Sequence, residues 1–349
     1  MRAPLPKEDL DLVVSLIPEF LSHYGSARFF ITGGTGFIGS WLLESLQHAN
    51  DTTGSKMELL VLSREPNKAY QNAPHVFDRA DTKLIAGNVR ALQTSLGKFD
   101  LCIHAATDVT SSLQAVNPME IFDTIVQGTS HVLDLATAAG ASRMLLTSSG
   151  AVYGAQPTNM ALLPETYSGA PALLSTSAIY GNSKRASECL SIAHSSQTQL
   201  AICIARIFAV IGPGLPLNDG FAAGNFVRDA MIGEVINIQG DGRSMRSYLY
   251  MADVIVWLLR ILGFGHAGEA YNVGSEKALS IAELARQVVS ASGKDLSVMT
   301  GVSSDATTPT ARYVPETRKA REELALAEYT PIDVALRKTM AWSQTTVEL

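Results

Sequence analysis

The sequence predicts a doubly wound α/β fold, a parallel sheet with helices on both faces, followed by a smaller C-terminal α/β part. Three observations predict it. Short apolar runs alternate with helix-length stretches from Arg28 to Arg206. The runs are continuous instead of alternating polar with apolar, as strands buried on both faces are. A glycine-rich turn joins the first run to a helix, the junction at which such folds bind phosphate.

Taken in order, Lys7 to Ile17 has helical spacing, with Pro6 near its start and Pro18 after it. It forms an N-terminal helical extension, residues 1–27, read as a cover for the core, with an oligomer contact as the alternative. Arg28 to Thr32, Met57 to Leu62, Lys83 to Ala86, Phe99 to His104 and Arg143 to Ser148 read as strands, and Leu200 to Arg206 extends the sheet. Phe37 to Gln47 and Met119 to Ala139 have helical length and spacing, the second closed by Gly140. Helices between parallel strands imply right-handed crossovers. After Ile211 the texture changes to a loop with Gly212-Pro213-Gly214, Pro216 and Gly220. No linker separates the two parts. Residues 28–210 are therefore expected to bind the dinucleotide, and residues 211–349 to pack on the carboxyl edge of the sheet, interleaved with it.

Composition narrows the function. The chain has 349 residues, 46% apolar and 17% charged, with a net charge of −6. That is a globular composition with no basic block, which argues against nucleic acid or an anionic membrane as partner. No apolar run is long enough to cross a bilayer, and Glu8, Asp9 and Asp11 interrupt the only segment resembling a signal peptide. The expected location is cytoplasmic. Cys102, Cys189 and Cys203 are expected to be buried free thiols, and no Cys/His spacing suggests a metal.

The strand ending at Thr32 runs into Gly33-Gly34-Thr35-Gly36-Phe37-Ile38-Gly39, a G-x-x-G-x-x-G that opens a helix. Gly33 permits the tight turn, Gly36 lets backbone approach a pyrophosphate, and Gly39 allows close packing of helix on strand. An ordinary turn is the plain alternative, and the strand–turn–helix context argues against it. The second strand ends Leu62-Ser63-Arg64, where a carboxylate would favour NAD by bonding the ribose 2′-hydroxyl. Ser63 and Arg64 suit a 2′-phosphate instead, although Glu65 could reclaim the ribose. The cofactor reads as NAD(P), with a lean to NADP.

Tyr180 and Lys184 stand at i and i+4, on one face of a helix. An ammonium beside a phenol favours the phenolate, so the tyrosine can exchange a proton near neutral pH. Ser148-Ser149, ending an apolar strand upstream, can bring a hydroxyl to the same place. The bare Tyr-x-x-x-Lys pattern alone would fit an ordinary amphipathic helix.

With these residues the order of motifs resembles the extended short-chain dehydrogenase/reductase family, which has a Rossmann fold, and within it the nucleotide-sugar epimerases, dehydratases and 4-ketoreductases. The set comprises Thr32 to Gly39, His104-Ala105-Ala106, Ser148 to Gly154, Tyr180 with Lys184, Arg206 to Gly212, Arg246 to Asp253 and Tyr271 to Gly274. The resemblance covers roughly residues 27 to 340. It implies Ser149, Tyr180 and Lys184 as the catalytic set, with Lys184 also on the cofactor ribose. It implies cofactor contacts at Gly33, Gly36, Phe37, Ile38, Gly39, Ser63, Arg64, Asn88, Val89, Ala105, Ala106, Tyr180 and Lys184. Asp108, Ser149, Asn225, Arg246 and Arg312 become candidates to bind a nucleotide-diphosphate sugar, the arginines at its diphosphate. A homodimer through the helices Met119 to Ala139 and Tyr180 to Ser196 is the family's habit.

Two departures refine the reading. Dehydratases of this family carry Asp and Glu directly after the catalytic residue, where this chain has Gly150 and Ala151. The thiol that some epimerase–reductases carry near Ala151 is absent too. Asn88 also stands where an adenine-contacting Asp is usual. Hydride transfer at a sugar carbon, most simply C4, remains: an epimerase, in which hydride returns to the other face of a transient ketone, or a ketoreductase. The alternatives are a dehydratase recruiting Asp108 or Glu165 as acid and base, and a non-catalytic dinucleotide-binding regulator. His104 reads as structural.

Overall fold

The computed structural model describes residues 1–92, 96–107, 117–233, 235–301 and 310–346. Seven parallel strands form the central sheet. They are β1 (Arg28–Thr32), β2 (Glu58–Ser63), β3 (Thr82–Ala86), β4 (Leu101–His104), β5 (Arg143–Ser149), β6 (Ala201–Ile207) and an edge strand, Ala270–Val273. Their order is edge strand, β6, β5, β4, β1, β2, β3. The chain thus winds outward in both directions from β1 and β4, and a crevice opens between their carboxyl ends.

Alternation along the strands feeds two apolar layers. Phe29 and Ile31 of β1, Leu59 and Val61 of β2, and Leu101 and Ile103 of β4 pack into one cluster. Phe30, Leu60, Leu62 and Cys102 pack into the other, against Val132, Leu133 and Ala136 of the helix Pro118–Ala138. The helix Met251–Phe264, almost wholly buried, anchors the first layer beside α3 (Phe37–Thr53). The edge strand, well past residue 210, pairs with β6 in register Asn272↔Arg206, so the C-terminal part contributes directly to the sheet.

The N-terminal extension covers that layer. Its two helices are α1 (Lys7–Leu16) and α2 (Pro18–Tyr24); Pro18 stands at the first helical position and starts the second helix as well as ending the first. Leu10, Val13, Ile17 and Phe20 are buried, and buried Asp9 accepts from Tyr250 Oη at 2.6 Å and pairs with Lys338. The helix α3 runs beyond Gln47 to Thr53 because nothing in His48 to Thr53 breaks it before Gly54, in the left-handed region, ends it. One expectation is corrected: Cys102 and Cys203 are buried, but Cys189 is exposed on the outward face of the helix Ile179–Ser195. All three thiols are free. Among the described residues no helix is long and apolar enough to cross a membrane, and no cluster of His, Cys, Asp or Glu could hold a metal.

Candidate active site

The glycine turn meets the end of β4. Gly33 has φ +72°, and a Cβ there would lie 2.4 Å from the Ala105 carbonyl oxygen. A Cβ on Gly39 would lie 2.1 Å from the Gly33 carbonyl oxygen, so the helix can approach the strand only because that side chain is missing. Beside this turn runs a cleft of about 230 Å³ lined by Gly33, Gly36, Ser63, Arg64, Asn88, Val89, Ala105 and Ala106. Thr35, Arg90, Thr107 and Thr124 also line it, contacts the sequence reading missed. None of the described lining residues is acidic. Ser63 Oγ accepts from the Glu65 amide at 3.2 Å, and Asn88 Oδ1 accepts from the Arg90 amide at 3.0 Å. Phe37 and Ile38 turn their side chains into the apolar layer, leaving their backbone at the helix start. The glycine cradle, the cleft and its basic rim fit a dinucleotide.

His104 ends β4 fully inside the protein. Thr32 Oγ1 lies 2.7 Å from its Nδ1 and Thr129 Oγ1 3.2 Å from its Nε2. Burial, with Lys184 nearby, pushes its pKa down to about 3, so the ring is neutral and structural.

The helix Ile179–Ser195 carries Tyr180 and Lys184 over the end of β5. Lys184 Nζ donates to Thr107 Oγ1 and to the Thr147 carbonyl, both at 2.8 Å, and lies 6.0 Å from the Tyr180 ring centroid. Burial lowers its pKa to about 7. The Tyr180 ring is partly exposed, yet burial of its hydroxyl raises its pKa, while Ser149 lowers it. The two serines divide: Ser149 acts on Tyr180 and Tyr313, whereas Ser148 Oγ donates to Glu188.

Tyr313 is a further residue that sequence reasoning missed, although it directly follows Arg312. The strand Met245–Arg246 pairs with Arg312–Tyr313, and the Arg246 guanidinium lies 6.0 Å from the Tyr313 ring centroid. The Tyr313 ring stacks on Phe208 with centroids 4.5 Å apart, and its hydroxyl is close to Tyr180. Arg246 thus comes near the catalytic hydroxyls. Arg312 turns aside, its Nε donating to the Ala161 carbonyl at 2.6 Å. Asn225 sits on the helix Ala222–Ile232, where Arg228 reaches its Oδ1 at 3.5 Å. Asp108 lies outside the described residues.

Glu165, the other candidate acid, is elsewhere. Its Oε1 accepts from the Asn272 amide at 2.8 Å, and it lines a groove of about 930 Å³ that contains none of Ser149, Tyr180 and Lys184. Besides burial, the groups acting most on the Tyr180 and Tyr313 hydroxyls are Ser149, Arg246 and neighbouring tyrosines, and among the described residues no carboxylate is one of them. Such a set can move a proton to or from one oxygen, and no carboxylate pair for eliminating water stands among the described residues there.

The family model described as "NAD dependent epimerase/dehydratase family" matches residues 29–274. A UDP-glucuronic acid decarboxylase 1 of Xenopus tropicalis is 28% identical over 332 residues, 95% of this chain and 75% of that protein. A UDP-glucuronic acid decarboxylase 2 of Arabidopsis thaliana is 31% identical over 272 residues, 78% of this chain and 58% of that protein. Among solved structures, a dTDP-glucose 4,6-dehydratase from Streptomyces venezuelae with NAD bound superposes with a TM-score of 0.78 at 24% identity, over 91% of this chain and 97% of that one. A UDP-glucose 4-epimerase from Thermotoga maritima with UDP-glucose superposes with a TM-score of 0.76 at 20% identity, over 92% and 100%.

Proposed function

The chain belongs to the NAD dependent epimerase/dehydratase family, and from that premise we propose that it oxidises and reduces C4 of a nucleotide-diphosphate sugar, as an epimerase or a 4-ketoreductase. One observation carries the reading: Tyr180, Lys184 and Ser149 converge at the end of β5, and among the described residues no carboxylate acts on the tyrosine. A bound nicotinamide supplies the hydride acceptor or donor. Tyr180 Oη takes the proton from the sugar hydroxyl or returns it. Lys184, held by Thr107 and the Thr147 carbonyl, keeps its ammonium beside that phenol and would bond the ribose of a bound cofactor. Ser149 bonds the oxygen on which negative charge develops, and Tyr313 faces the same sugar. Arg246 holds the diphosphate; Asn225 and Arg312, with Asp108, complete the substrate side, and residues 211–349 form that side.

The glycine turn, Ser63, Arg64, Asn88, Val89, Ala105 and Ala106 hold the dinucleotide, with Arg90 added from the cleft lining. A lean to NADP follows from a rim with two arginines and, among the described lining residues, no carboxylate, because a 2′-phosphate gains charge-assisted bonds there. Cytoplasmic location and a homodimer belong to the same reading. The dimer is supported by exposed Met119 and Phe122, one turn apart on Pro118–Ala138, and by exposed Ile192 on the neighbouring helix.

A second reading follows from the similarity to UDP-glucuronic acid decarboxylases. Oxidising C4 of a uronic acid places a ketone β to the C5 carboxylate. The bond to that carboxylate then breaks, carbon dioxide leaves, the electron pair becomes an enolate that is protonated at C5, and hydride returns to the C4 ketone. This route also needs no acid–base carboxylate pair.

The test is to denature the purified protein and identify any released dinucleotide by mass and redox state. Oxidised NADP near one per chain fits a cofactor recycled within each turnover, hence the epimerase or the decarboxylase. An empty protein that binds NADPH fits the ketoreductase. Failure to bind either dinucleotide overturns the proposal.

A further inference from the structure

Ser148, Arg206 and Asn272 lie side by side across β5, β6 and the edge strand, in register. This row sits one residue before Ser149. Glu188 reaches it from the helix of Tyr180 and Lys184, one turn beyond Lys184. Glu188 accepts from Ser148 and takes both arms of Arg206, with Nη2 to Oε2 at 2.7 Å and Nε to Oε1 at 3.1 Å. Arg206 Nη1 donates to Tyr153 Oη at 2.9 Å, and Tyr153 donates to Asn272 Oδ1 at 2.8 Å. Asn272 Nδ2 donates on to the carbonyls of Leu163 and Glu316. One network therefore touches the strand before Ser149, the turn after it, the catalytic helix, and the segment that carries Tyr313.

The Glu188 and Arg206 side chains are only 10% and 17% exposed. A pair buried to this depth is a poor source of stability, because lost hydration offsets the attraction, and apolar residues of similar size often replace it at no cost. What a guanidinium forked onto a carboxylate does supply is a single relative orientation of the two elements that carry them. We propose that Glu188 and Arg206 are positioning residues, locking the helix Ile179–Ser195 onto the end of β5 so that Tyr180, Lys184 and Ser149 keep one mutual geometry. This rests on the proton-carrier reading of Tyr180.

The groups around the trio support it. Among the described residues the titratable neighbours are His104 from β4, neutral at working pH, Tyr313 from the segment Arg312–Tyr313 with Arg246 beside it, and Glu188 with Arg206 behind it. Of these, Glu188 is the anion that favours a charged Lys184 against its burial.

The test uses the full chain loaded with NADP⁺, as a Glu188→Met/Arg206→Met double variant and as Arg206→Lys. Ionisation of Tyr180 is read as the near-ultraviolet difference between each protein and its Tyr180→Phe counterpart. Turnover is read on whichever of UDP-glucose, UDP-glucuronic acid and dTDP-glucose the parent protein converts. The double variant is expected to keep its fold and a thermal midpoint within about 5 °C. In it Tyr180 ionises at least about one pH unit higher, and kcat falls about tenfold or more while KM stays within about threefold. Arg206→Lys, which keeps the charge and loses the fork, falls between the two. A folded double variant with unchanged Tyr180 ionisation and kcat overturns the proposal. If the double variant does not fold, unchanged ionisation in Arg206→Lys overturns it equally. A parent protein that converts none of the three sugars contradicts the substrate reading, and the ionisation comparison still decides the positioning role.

Discussion

The Tyr313 hydroxyl fills the space where Gly150 would carry a side chain: a Cβ on Gly150 would lie 2.5 Å from it. Phe208 closes the same space at 2.7 Å. Gly150 is thus matched by a tyrosine from a distant segment. Gly150→Ala is expected to destabilise the protein by about 1–3 kcal/mol through overpacking. Chemical denaturation measures this, and adding Tyr313→Ala should recover part of the loss by opening the space. No change in midpoint for Gly150→Ala would mean that Tyr313 moves aside freely.

Replacing Arg64 tests the cofactor reading. Arg64→Ala is expected to weaken NADP⁺ binding by about 10-fold to 100-fold, the usual worth of a charge-assisted pair, and to leave NAD⁺ nearly unaffected. Fluorescence titration with both reduced dinucleotides gives the ratio. Equal weakening for the two would assign Arg64 to the pyrophosphate or to packing.

Acid should unfold the protein partly through His104. Its pKa falls from the ordinary 6.5 to about 3 in the fold, so the unfolded chain binds a proton in that window which the folded chain does not. Stability from this group is complete above pH 6.5 and is lost as pH falls toward 3. The parent should take up about one proton more on unfolding in this window than His104→Asn, measured from the pH dependence of urea midpoints. Parallel curves for the two proteins would place the burden on other groups.

What was legible in the sequence is what local pattern encodes. The glycine turn is fixed by spacing within one strand–turn–helix unit, and Gly33 and Gly39 stand where a Cβ would strike backbone. The six strands β1 to β6 were legible as continuous apolar runs. Ends were less legible: α3 continues through polar residues to Thr53 because no residue there stops it. Cys189 was misjudged because the face of a helix depends on its rotation against the sheet, not on the hydropathy of neighbours. Tyr313 and the Glu188–Arg206 pair were invisible because their partners are far away in the chain. Glu165, a candidate acid only for the alternative dehydratase, reads from the sequence as a loop carboxylate, and the fold sets it to accept from the Asn272 amide.

The most direct measurement of the central claim follows UDP-glucose, UDP-glucuronic acid and dTDP-glucose by proton NMR in deuterated water, with wild type and Tyr180→Phe side by side. The account predicts a change at C4 without loss of water, with Tyr180→Phe slower by about 10²–10⁴-fold while it still binds the dinucleotide. Release of carbon dioxide from the uronic acid would select the decarboxylase reading. Loss of water with solvent deuterium entering a ring carbon, or full activity in Tyr180→Phe, would contradict it.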